Sequence, residues 1–138
     1  MNYHFTTTKA HIELNGGTIH EILTDEALKI KSDYPFKGNI DIAKLRGIIK
    51  AKGAENIPFI RLEASTNLIG GQPFSMQNFK EVKKLAREFN LIIILDASLI
   101  GENAYLIKHR ETGYESYSIG TILLEMSALS DILYFSAR

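Results

Sequence analysis

The chain has 138 residues, 45% of them hydrophobic, which suits one globular domain with a real core. Its sixteen Lys and Arg balance sixteen Asp and Glu, so no net charge points toward nucleic acid or an anionic membrane surface. The absence of Cys excludes a disulfide framework and a thiolate metal site, and the four His residues show no ligand spacing. No apolar run approaches the roughly 20 residues that span a bilayer, and Met1 to Ala10 is too polar for a signal peptide. A soluble cytoplasmic protein without a structural metal is the expectation.

In chain order, His11–Leu14 and Thr18–Leu23 read as short β-like runs separated by the turn signal Asn15-Gly16-Gly17. Pro35 to Asn39 breaks the chain. Asp41 then opens a short amphipathic helix with Ile42, Leu45, Ile48 and Ile49 on one face, capped by Asp41 or Asn39. Pro58 to Ala64 is a strand candidate that runs into Asn67-Leu68-Ile69-Gly70-Gly71-Gln72-Pro73, whose glycines and proline demand a sharp loop. From Ser75 a helix sets Phe79, Val82, Ala86 and Phe89 at helical spacing, with Asn90 as its C-terminal cap. Lys83–Lys84 falls on its solvated side.

Leu91 to Leu95 is an uninterrupted apolar run, as expected of a strand buried on both faces of a parallel sheet. Helices are predicted over Asn103 to Arg110, with His109–Arg110 solvated, and from Ser118, with Ile119, Ile122, Leu123, Met126 and Leu129 buried. Ile132 to Phe135 is again strand-like. Strands alternating with amphipathic helices predict an α/β fold with a mostly parallel, helix-covered sheet. The sequence ends just after an apolar strand with no helix to cover it, so residues 1–138 are expected to form a single partial domain.

Ligands of open parallel sheets gather beyond the carboxyl ends of the strands. Asn67, Asp96 and Ser136 follow three such ends and are expected to converge. A carboxylate that terminates an apolar strand needs a cationic or hydrogen-bonding partner. For Asp96 that partner is a protonated pyridine nitrogen, the following helix, or a magnesium ion or nucleotide, and the pattern leaves these open. Asn67 with the Gly70-Gly71-Gln72-Pro73 turn offers an amide and backbone donors, or is simply a turn. Ser136 can donate to a phosphate. Tyr105 is expected in the core or at an interface.

Several stretches, Phe5-Thr6-Thr7-Thr8-Lys9, Phe36-Lys37-Gly38-Asn39, Gly53 to Pro58, Asn67 to Met76, and Glu102-Asn103-Ala104-Tyr105, resemble in order the motifs of the tryptophanase and tyrosine phenol-lyase family. The resemblance spans nearly the whole chain. It implies the large domain of a fold type I pyridoxal-phosphate enzyme, a homotetramer with a potassium requirement, and β-elimination from an aromatic amino acid to give pyruvate and ammonia. By this resemblance Asp96 pairs with the pyridine nitrogen, Asn67 bonds the ring's phenolic oxygen, and Ser136 contacts the phosphate.

The same resemblance places the Schiff-base lysine just after Arg138, an N-terminal phosphate-binding segment ahead of Met1, and the carboxylate-recognising small domain elsewhere. The family tends to carry Arg three residues after the Asp, where this chain has Leu99. General similarity favours tryptophanase over tyrosine phenol-lyase. The expected state is an enzyme segment inactive alone; the competing readings are a non-catalytic interaction module of the same fold and a small nucleotide- or metal-binding domain built on Asp96. The full reading frame separates the first two, because the enzyme requires a lysine directly after Arg138.

Overall fold

The computed structural model describes residues 1–136. It contains helices α1 (Thr6–Leu14), α2 (Ile42–Lys52), α3 (Met76–Glu88), α4 (Ile100–Arg110) and α5 (Ile119–Leu129), and strands β1 (Ile60–Glu63), β2 (Ile93–Asp96) and β3 (Ile132–Tyr134). The strands form one parallel sheet in the order β1-β2-β3, which is the α/β class read from the alternation of elements. Parallel neighbours need crossovers, and α3 supplies the first while α4 and α5 supply the second.

Register lines up the strand ends. Glu63 pairs with Asp96 and Asp96 with Tyr134, so the loops leaving the three strands start at one height. The core is built from Ile60, Leu62, Ile93 and Leu95 of the strands, Phe79, Val82, Leu85 and Ala86 of α3, and Ala104, Ile107, Ile122 and Met126 of α4 and α5. Removing apolar surface of this kind from water is the main force holding the layers together. Phe74 and Phe79 meet edge to face with centroids 5.3 Å apart, a geometry favoured by the ring quadrupoles.

Helix starts follow side-chain capping. Asp41 accepts from the Lys44 amide at 2.9 Å, Ser75 from Asn78 at 3.0 Å and Ser118 from Thr121 at 3.0 Å. Asn90 takes a left-handed φ of 55° just past α3, the conformation that ends helices and that Asn tolerates.

Two expectations fail. His11–Leu14 is not a strand but the end of α1, and the Thr18–Leu23 stretch contributes only an isolated antiparallel bridge, Leu23 to Ile40. Asn15-Gly16-Gly17 turns the chain as a helix terminus: the Gly17 amide donates to the Ile12 carbonyl at 2.9 Å, with Gly16 at φ 77°. Lys83 is not solvated either. It is only 9% exposed, and its ammonium lies 2.6 Å from Asp131; Lys84, His109 and Arg110 are exposed as read.

Candidate functional site

Asn67, Asp96 and Ser136 line one cleft of about 230 Å³ at the carboxyl ends of the strands, together with Glu63, Ser98, Leu99 and Tyr134. Phe5, Thr7 and Thr8, from the entry and first turn of α1, form the facing wall. A larger cavity of about 550 Å³ opens at the other end of β1, among residues such as Ile12, Ile48 and Phe59. Its lining is largely apolar and carries no carboxylate, whereas the smaller cleft lies at the carboxyl ends of the strands, where ligands of parallel sheets gather, and is the candidate site.

Asp96 is the last residue of β2 and is 6% exposed. Its Oδ1 accepts from the Ser98 amide at 3.0 Å and the Ser98 hydroxyl at 2.7 Å. Its Oδ2 pairs with the Arg61 guanidinium and accepts from the Tyr134 hydroxyl at 3.1 Å. Asp96 does not cap α4, whose N-cap residue Leu99 has no side-chain bond. Burial raises the Asp96 pKa, but the Ser98 hydroxyl and amide, Arg61 and Tyr134 together outweigh it and hold the carboxyl below its ordinary value.

Arg61 was not singled out from the sequence. It points from the middle of β1 into the same network and is 2% exposed. Its Nε donates to the Tyr134 hydroxyl at 2.8 Å, and its guanidinium also meets Glu63 Oε2 at 3.1 Å and the Tyr3 carbonyl at 3.2 Å. Glu63 uses its other oxygen to accept from the Asn67 amide at 3.1 Å. Desolvation works against the Arg61 charge, yet Tyr134, Glu63 and Asp96 overcome it and raise its pKa. Burial likewise raises the Tyr134 pKa.

Asn67 opens a 3-10 turn, Asn67–Ile69, and is exposed to the cleft. Its loop is closed by the Thr66 to Gln72 bridge and by left-handed φ angles of 82° at Gly70 and 70° at Gly71, which glycine adopts without a Cβ clash. A Cβ on Gly38 would sit 2.4 Å from the Gln72 carbonyl oxygen, so glycine there lets the 36–39 segment abut the loop.

Asn103, another residue the sequence did not isolate, anchors the loop from beneath. Fully buried, it accepts from the Ser65 amide at 2.9 Å and the Phe74 amide at 3.1 Å, and donates to the Phe74 carbonyl at 2.9 Å. Asn2 does similar work from the chain's start, donating to the Gly38 and Glu63 carbonyls at 3.1 and 3.0 Å. Ser65 between them holds a φ of 48°, a conformation costly for a non-glycine residue.

Ser136 reaches the cleft beyond β3, its amide donating to the Ser98 hydroxyl at 3.1 Å. Leu99 also faces the cleft. Tyr105 is 56% exposed and packs on the His109 ring, so it is outside the core. The position expected to precede the Schiff-base lysine, Arg138, lies outside the described residues. Among the described residues no group of three or more His, Cys, Asp or Glu is placed to hold a metal ion, and no helix is long and apolar enough to cross a membrane.

The sequence profile of a family described as beta-eliminating lyase matches residues 1–138. Among curated proteins, the tyrosine phenol-lyases of Nostoc punctiforme and Pasteurella multocida are 46% and 47% identical to the chain over 94% of its length. That of Clostridium tetani is 47% identical over the same share. The chain spans 28% of the length of each.

Proposed function

Because the chain belongs to the beta-eliminating lyase family, we propose that it is the central part of the cofactor-binding domain of a pyridoxal-phosphate lyase that cleaves an aromatic amino acid to pyruvate and ammonia. The observation that supports this reading is the convergence of Asp96, Asn67 and Ser136 on one cleft at the strand ends. The donor set fits the cofactor: an ionised carboxylate for a protonated ring nitrogen, an amide for a phenolic oxygen and a hydroxyl for a phosphate. When bound, pyridoxal phosphate withdraws electrons from the substrate α-carbon through its protonated ring.

The residues of this chain bind and orient. Asp96, held ionised by Ser98, Arg61 and Tyr134, would accept a hydrogen bond from the ring N–H and so favour the protonated nitrogen. Asn67 donates to the phenolic oxygen from a loop fixed by Glu63 and Asn103. Leu99 adds an apolar wall where the family tends to carry Arg, so here the phenolic oxygen relies on Asn67. The lysine that carries the cofactor belongs after Arg138.

For the leaving group, the names of the similar proteins support phenol, from tyrosine, over the indole that general similarity favoured. A family-type tetramer with bound potassium belongs to this reading as well. The test uses the polypeptide that carries this segment in its full reading frame. Titration with pyridoxal phosphate should produce a visible absorption band, and L-tyrosine should release phenol and pyruvate faster than L-tryptophan releases indole. Asp96→Asn should lower pyruvate release by about 100-fold or more, equivalent to roughly 2.7 kcal/mol. Undiminished activity in that variant would remove Asp96 from the role, and faster indole release would restore tryptophan as substrate.

A further inference from the structure

The buried cluster behind the cleft contains two carboxylates, Glu63 and Asp96, and one guanidinium, Arg61, all at most 6% exposed. Buried ion pairs gain little net stability against apolar residues of similar volume, so the folding of the strands does not by itself call for this cluster. Its connections run toward the ligand side. One nitrogen of Arg61 contacts both carboxylates, its Nε donates to Tyr134, and Tyr134 in turn donates to Asp96. The second oxygen of Glu63 reaches the backbone of Asn67.

We propose that Arg61 and Glu63 are positioning residues: a single ion pair on β1 sets both the Asp96 carboxylate and the Asn67 loop, and its unbalanced carboxylate makes the cleft select a cationic ring over a neutral one. This rests on the reading of the cleft as a cofactor site, but the arrangement is internal to the chain and can be measured without ligand. Tyr134 acts through Asp96 by closing the triangle from β3. The excess of one carboxylate leaves a buried demand for positive charge, which a protonated heterocyclic nitrogen meets.

The experiment has a ligand-free arm and a ligand arm, both on the polypeptide in its full reading frame. In the first, carboxyl carbon NMR follows the titration of Asp96, and amide exchange follows Asn67, in the wild type, Arg61→Met, Arg61→Lys and Glu63→Gln. Arg61→Met should raise the Asp96 midpoint by at least one pH unit, and Arg61→Lys should restore part of the shift. Glu63→Gln should speed Asn67 exchange about tenfold. Should Arg61→Met fail to fold, the Lys and Gln variants carry the same readouts. An unchanged Asp96 midpoint in a folded Arg61 variant, or unchanged Asn67 exchange in Glu63→Gln, overturns the proposal.

The second arm compares binding of pyridoxal phosphate with its 1-deaza analogue, in which carbon replaces the ring nitrogen. The wild type should prefer the pyridine by at least tenfold, and Arg61→Met should change that preference; equal preference in both proteins overturns the charge selection. Intact coupling with no binding of either compound would instead refute the cofactor reading beneath it.

Discussion

Asn103 shows how a side chain far from any reacting atom can govern a site. Its three hydrogen bonds fix both ends of the 65–74 loop, and its full burial means that water cannot replace them. Asn103→Ala should destabilise the protein by about 2 to 4 kcal/mol, because two amides and a carbonyl lose their partner; urea denaturation measures it, and a loss below about 1 kcal/mol would contradict the assignment. At this scale the sequence was half legible. Asp96 stood out because a carboxylate closing an apolar strand has few solvents but its partners. Arg61 and Glu63 did not, because the alternation of Ile60, Arg61, Leu62 and Glu63 is ordinarily the mark of a strand with one face in water. Contacts from the chain's first residues, Met1 and Tyr3, and from the Tyr134 hydroxyl of β3 turn Arg61 inward, where it pairs with Glu63.

Elements with strong periodicity and a cap were legible: α2, α3 and α5 begin at the expected Asp41, Ser75 and Ser118. Ser75→Ala should cost about 1 kcal/mol, since it removes the acceptor for the Asn78 amide; a thermal midpoint unchanged from wild type would refute the cap. α1 was misread because His11, Ile12, Glu13 and Leu14 alternate polar and apolar residues over a span too short to distinguish two periods. The helix buries none of its residues, so packing left no periodic trace. β3 is held to its neighbours by Asp131, whose carboxylate takes the Lys83 ammonium at 2.6 Å and the Ile93 amide at 2.7 Å. The Lys83 bond, then the Ile93 amide, lowers the Asp131 pKa below its ordinary 3.8. A depressed carboxylate contributes stability that is complete above its unfolded value and lost as pH falls through the folded one. Thermal midpoints should therefore drop as the pH falls below about 3.8, and Asp131→Asn should flatten that part of the profile; an identical slope in both proteins would exclude Asp131 as a source.

For the whole molecule, the sheet's third strand determines behaviour in solution. Ile132, Leu133, Tyr134 and Phe135 are 40 to 65% exposed, an apolar edge of the kind that recruits another chain. The 138-residue polypeptide on its own should self-associate, and sedimentation velocity should show a weight-average coefficient that climbs with concentration; Leu133→Glu should suppress the climb. A monodisperse monomer at all concentrations would contradict this. The α/β class was legible from the alternation of elements, whereas the convergence of the site depended on register, which no single strand reveals. The sequential order β1-β2-β3 also has a meaning during synthesis. Each strand end delivers one wall of the cleft, Asn67 first, Asp96 second and Ser136 last, and each pairing joins residues more than thirty positions apart, as Ile60 with Ile93 and Ile94 with Ile132. A nascent chain leaving the ribosome therefore holds an open-sided pocket until β3 emerges.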